Sequence, residues 1–272
     1  MIRKEDRDFI RPLFIQGSFW FTLVLWGAWA ARGARQLALD VHPLAIVILL
    51  ILLVAAGVLA LLLHTRHGLR LYASAVYAVL MIGVFSFALT SESLLFALIF
   101  TLTTAFLLAL SPRVYIQNIV LAIAMVGIGI QAAEFASFGL LFFALILLAV
   151  YDLAAVRVSG QMIRLARMVL TAHVPALFIL PYRIRDSILH VKSFRPGSRA
   201  VFFGAGDILI PAALISAAPN RMMALAVIVG TMAGFFALIL VFGNARNPKP
   251  MPGLPYITVG IALALGLAKI WV

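Results

Sequence analysis

The chain has 272 residues, 65% of them hydrophobic and 11% charged, with Lys plus Arg at 21 and Asp plus Glu at 9 for a net charge of +12. A soluble domain carries roughly 25% charged residues, so there is too little polar surface here to cover a water-soluble globule. A disordered chain, a nucleic-acid-binding domain and a disulfide-stapled module are excluded. With no cysteine, thiol nucleophiles, iron–sulfur clusters and Cys-ligated zinc are excluded as well.

Apolar runs of spanning length recur from end to end. They cover Leu13–Ala31, Pro43–Leu63, Leu71–Leu89, Leu94–Leu110, Val114–Ala133, Phe138–Val156, Val201–Ala218, Met222–Phe242 and Pro255–Val272. Backbone groups in lipid must be satisfied within each segment, so unbroken runs of this length predict helices. The expected fold is an all-α polytopic membrane protein with nine transmembrane helices. It reads as a single membrane-embedded domain over 1–272: spans one to six at about 13–156, a connector at 157–200, and spans seven to nine at about 201–272.

The charged N-terminal arm, MIRKEDRDFIRP, precedes span one without a small-residue cleavage site and does not read as a cleaved signal. With it placed inside, Arg3, Lys4, Arg7, Arg11, Arg66, Arg70, Arg113, the eight basic residues of the connector, Arg246 and Lys249 share that side. Arg32, Arg35, Arg221 and Lys269 fall on the other. Seventeen against four follows the positive-inside rule, giving a cytoplasmic N-terminus and an outer C-terminus in the cell membrane. Within the connector, Gln161–Leu180 mixes Arg164, Arg167 and His173 with apolar residues and predicts an amphipathic interfacial helix; Pro175 argues against a tenth span. Arg183–Arg199 predicts a loop.

Seven acids are peripheral. Asp152 and Asp207 alone lie inside apolar segments, where an ionisable side chain costs at least about 2.5–3.5 kcal/mol and usually marks function. Asp152 precedes Arg157 by five residues and Asp207 follows Arg199 by eight. On helices rising about 1.5 Å per residue, both carboxyls reach similar depth, roughly 8 and 12 Å from the basic boundary. Two carboxyls facing one cleft would share a proton. Such a pair suits aspartyl proteolysis, one member taking a proton from water while the other polarises the scissile carbonyl. Taken without its flanking residues, the pair suits a proton- or cation-coupled transporter better.

The flanking residues separate these readings. Tyr151-Asp152 resembles the YD motif, and Gly204-Ala205-Gly206-Asp207 the GxGD motif, of the presenilin and signal peptide peptidase family. GDILIPAAL at Gly206–Leu214 looks especially like its signal peptide peptidase and archaeal presenilin-homologue forms. Pro252-Gly253-Leu254 stands where the family has PAL, with Gly253 in place of Ala. The resemblance implies an intramembrane aspartic endopeptidase acting on transmembrane-helix protein substrates in the lipid bilayer. Asp152 and Asp207 would be catalytic, and Tyr151, Gly204, Ala205, Gly206, Pro252, Gly253 and Leu254 would position the substrate as an extended strand. Tyr151 would pack beside the dyad. Pro252 and Pro255 would keep Met251–Leu254 non-helical and its carbonyls free, and Gly204 and Gly206 would permit close helix approach. A prepilin peptidase also carries GxGD, but the nine-span layout and the acids on adjacent helices count against it.

No metal or organic cofactor, nucleic acid or accessory subunit is implied. Neither HExxH nor GxSxG occurs, which removes zinc and rhomboid-type serine intramembrane proteases. A dinucleotide loop is excluded because GAGDIL lacks the third glycine. The histidines His42, His64, His67, His173 and His190 all fall at interfaces or connectors.

Overall fold

A computed structural model describes residues 10–31, 66–91, 93–159, 161–171, 174–194, 198, 200–244 and 251–270. Span two, Pro43–Leu63, lies outside these residues, as does most of the N-terminal arm.

The helices are α1 Ile10–Ala31, α2 Arg66–Leu89, α3 Leu94–Leu110, α4 Val114–Phe135, α5 Phe138–Ala154, α6 Gln161–Thr171, α7 Gly206–Ala217, α8 Arg221–Asn244 and α9 Leu254–Ile270. Among the described residues α1, α2, α4, α5 and α8 are long and apolar enough to cross a bilayer, whereas α3, α7 and α9 are shorter apolar helices. Starts are set by local chemistry. Ser93 and Ser137 accept the Phe96 and Leu140 amides at the heads of α3 and α5, and Asn220 accepts the Met223 amide at the head of α8.

Two stretches depart from the expectation. Gln161–Leu180 is not one helix: α6 ends at Thr171, and Leu177–Pro181 forms strand β1. Span seven likewise begins as a strand, β2 at Ala200–Gly204, and only the 12 residues Gly206–Ala217 form α7. Pro175 and Pro181 bracket a short apolar run and disfavour a continuous helix there, and its backbone is satisfied by pairing instead. The hairpin is antiparallel, with Phe178 opposite Phe203 and Ile179 opposite Phe202. Helical rise therefore does not apply between Arg199 and Asp207, and the depth argued from it is replaced by the contacts described below. Arg183–Arg199 contains two 3-10 turns, Ile184–Ile188 and Val191–Ser193.

The centre of the bundle is α4, buried along most of its length and packed on α1, α2 and α7. Lipid competes with apolar side chains on equal terms, so helices in a bilayer associate through close approach and polar bonds. Both devices are present. A Cβ on Gly127 would collide with the Gly83 carbonyl, so α2 and α4 cross backbone to backbone. Gly230, Gly234 and Gly260 do the same for α8 and α9. The α3 helix is peripheral, with Leu94, Leu95, Leu102, Phe106 and Leu110 each at least 60% exposed toward what is lipid in a membrane.

Polar bonds fix the hairpin. Asn118 on α4, fully buried, donates to the Ile179 carbonyl at 2.8 Å and accepts its amide at 3.1 Å. Gln117 donates to Leu177 and Gln16 on α1 to Pro181, at 2.9 and 2.8 Å. These bonds occupy the edge of β1 turned away from β2. On the other strand Phe203 is buried against Phe21 and Phe235, ring centroids 6.2 and 5.4 Å away.

Candidate active site

Asp152 lies in the last turn of α5 and is 5% exposed. The chain then widens into a π-helical turn, Ala155–Ser159, with the Ala155 amide reaching back to the Asp152 and Tyr151 carbonyls. Such widenings inside helices concentrate at functional sites. Asp207 occupies the first turn of α7, straight after β2, and is half-buried. The β2–α7 junction thus delivers one carboxyl and the end of α5 the other.

Both meet at the start of α9. The Leu254 amide donates to Asp152 Oδ2 at 3.3 Å, and the Gly253 amide faces the same carboxyl. The Cα of Gly253 faces Asp207: a Cβ there would stand 2.9 Å from Asp207 Oδ2 and 3.3 Å from its Cγ. One dipeptide therefore lies between the two acids, which are close enough for their charges to interact. The Asp207 carboxyl also lies against the Gly204 backbone amide.

Pro252, Gly253 and Leu254 are all buried. Met251–Gly253 is non-helical, α9 begins at Leu254, and Pro255 sits in its first turn, where a missing amide is harmless. The Gly253 carbonyl is engaged by the Ile257 amide at 3.4 Å and the Leu254 carbonyl by Thr258 Oγ1 at 2.8 Å, so these two carbonyls are not free.

The other named residues divide. Gly204 ends β2 in ordinary contact with Asp207, 3.6 Å from a Cβ position to Oδ2, and a Cβ on Gly206 would meet nothing within 4 Å beyond its chain neighbours and its own helix. Neither glycine sits at a helix crossing, and Gly206 is exposed. Ala205 is the residue before α7, its amide bonded to the Ala176 carbonyl at 3.2 Å in continuation of the hairpin. Tyr151 is 57% exposed and points away from the buried acid beside it, as neighbours on a helix must.

Sequence reasoning did not pick out the hairpin or its anchors. Gln16, Gln117 and Asn118 are amides inside apolar spans, and that was the available signal: a buried amide must find partners. The hairpin also has a directional consequence. Residues along a strand alternate the side to which their amide and carbonyl point. Leu177, Ile179 and Pro181 turn theirs toward α1 and α4, so Phe178 and Leu180 bond β2, through Phe203 and Val201. Phe202 therefore directs its amide and carbonyl at the other edge of β2, which pairs with no strand among the described residues, a few residues from Asp207.

The bundle is that of an integral multi-pass membrane protein, and in it two acids from different helices converge on one backbone segment. The profile described as "Signal-peptide peptidase, presenilin aspartyl protease" matches residues 20–269, and the chain belongs to that family. Its fold is similar to that of a presenilin family intramembrane aspartate protease of solved structure, with a TM-score of 0.60 and 18% sequence identity over 95% of this chain and 98% of that one. No curated protein matches the sequence.

Proposed function

We propose that the chain is an aspartic endopeptidase that hydrolyses peptide bonds within transmembrane segments of other membrane proteins, with Asp152 and Asp207 as the catalytic pair. The observation that carries this reading is the convergence of both carboxyls on Gly253-Leu254 from two different helices. A water held between them loses a proton to the carboxylate of the pair as its oxygen attacks the scissile carbonyl carbon. The protonated partner gives its proton to the carbonyl oxygen. Collapse of the resulting gem-diol returns a proton to the amide nitrogen and releases the two fragments.

A peptide bond inside a helix is shielded by its own hydrogen bonds, so the substrate segment must first be extended. The edge of β2 turned away from β1, where Phe202 presents one amide and one carbonyl, supplies partners for an added strand. Gly206, exposed and without a side chain, leaves room for that strand beside Asp207. Gly204, Ala205 and Gly206 hold the strand-to-helix junction, while Pro252, Gly253 and Leu254 form the opposite wall. Tyr151, largely exposed, is available to the substrate rather than to the dyad. The basic face lies in the cytoplasm, the chain spans the cell membrane nine times, and 1–272 acts as one protease domain.

The test is incubation of the purified protein, in nanodiscs, with a single-span peptide, followed by mass mapping of the products. Cuts inside the apolar segment, blocked by a hydroxyethylene isostere of the scissile bond, are expected. Intact peptide, together with acid-dependent ion uptake into liposomes, would replace this reading with the transporter.

A further inference from the structure

The basic end of the bundle carries a feature that proteolysis does not use. Pro12 opens the apolar stretch of α1, and beside it lies a cavity of about 450 Å³ lined by Pro12, Arg183, Ile184, Arg185 and Asp186. Gln16 fixes its walls from both sides. Its Nε2 donates to the Pro181 carbonyl, just before the arginines, and its Oε1 accepts from Ser187 Oγ, just after them, at 2.8 and 3.2 Å. Arg183, Ile184 and Arg185 are exposed, and among the described residues neither guanidinium forms an ion pair.

Two guanidiniums against one carboxylate leave the lining positive. Their forked donors match phosphate oxygens, which they bind in pairs. The end of an apolar span sets the cavity at headgroup depth, and Pro12 and Ile184 offer apolar wall to a glycerol backbone and its first methylenes. Asp186 accepts a hydrogen bond, which a headgroup hydroxyl can donate and a choline cannot. We propose that this cavity binds the headgroup of an anionic phospholipid of the phosphatidylglycerol type, with the phosphate on Arg183 and Arg185 and a glycerol hydroxyl on Asp186. Because Gln16 ties the cavity to Pro181 at the end of β1, an occupied site also braces the hairpin leading into Asp207.

The proposal is independent of proteolysis, and its test uses none. The full chain is delipidated in detergent, titrated with phosphatidylglycerol or phosphatidylcholine, and followed by native mass spectrometry and thermal unfolding. Phosphatidylglycerol should be retained about tenfold more tightly and raise the unfolding temperature. Both effects should vanish in Arg183→Gln/Arg185→Gln, return in part in Arg183→Lys/Arg185→Lys, and survive in Arg164→Gln/Arg167→Gln, which removes equal charge from α6. Equal retention of the two lipids, or equal loss in both glutamine pairs, overturns the site in favour of diffuse attraction. Displacement of the lipid by submillimolar inorganic phosphate or glycerol 3-phosphate overturns the lipid assignment and makes the ligand a soluble phosphate.

Discussion

Replacing Gly253 by alanine tests the dyad geometry at its tightest point. The new methyl would stand 2.9 Å from Asp207 Oδ2 and 3.7 Å from Leu238 Cδ2, where ordinary contact runs from 3.4 to 4 Å. The methyl that the PAL form of this motif carries has no room here while the Asp207 carboxyl keeps its position. Relief takes a displacement of about half an ångström, and the carboxyl, the end of a short side chain, yields before the buried backbone does. Misplacing a reacting group by about 1 Å costs on the order of a hundredfold, so half of that predicts roughly a tenfold fall in kcat, near 1.4 kcal/mol of barrier. The fold should hardly notice, with Tm unchanged within about 2 °C. Steady-state cleavage of the single-span peptide, read as kcat and KM beside thermal unfolding, measures both. Gly266→Ala, where a Cβ meets nothing within 4 Å, is the control for a methyl added to α9. Wild-type kcat in Gly253→Ala would refute the placement of Asp207 against this residue.

Asn118→Ala removes both bonds to Ile179 and leaves a buried amide and carbonyl unpaired; stability should fall by about 1–3 kcal/mol in detergent unfolding, with loss of cleavage as the hairpin loosens. Gly127→Ala drives a methyl into the Gly83 carbonyl, forcing α2 and α4 apart, and should cost about 1–3 kcal/mol by the same assay. Phe202→Pro deletes an amide at the edge of β2 turned away from β1 and should abolish cleavage with Tm nearly intact, whereas Phe203→Pro deletes one that bonds β1 and should lower Tm as well.

The parts of this molecule that were legible from sequence are those that lipid enforces. Leu94–Leu110 was bounded correctly because Ser93 caps one end and Ser111-Pro112 stops the other, and in hydrocarbon such a run has no state but helix. Asp152 and Asp207 stood out for the same reason, since a bilayer penalises every acid it contains. Val201–Gly204 is a strand and not the predicted helix, because apolar content does not distinguish a helix from a strand whose partner lies elsewhere in the chain. That partner, Leu177–Pro181, is recognisable only in three dimensions, through Asn118 and Gln117 more than 50 residues away. Gly206 is by type a residue for close helix packing, yet no other element approaches within 4 Å of its Cβ position. The closeness of Gly253 to Asp207 depends on how α9 docks against α8, which glycines at Gly230, Gly234 and Gly260 permit but do not by themselves specify.

The most direct measurement is single-turnover cleavage of a membrane-embedded peptide by Asp152→Asn and by Asp207→Asn, each reconstituted beside the unaltered chain. An amide can neither take the proton from water nor give one to the carbonyl in the role of a carboxyl. Each variant should therefore fall by at least about a thousandfold while keeping the wild-type Tm and its affinity for the uncleaved peptide. Cleavage of the same bond at near wild-type rate in either variant would contradict the account.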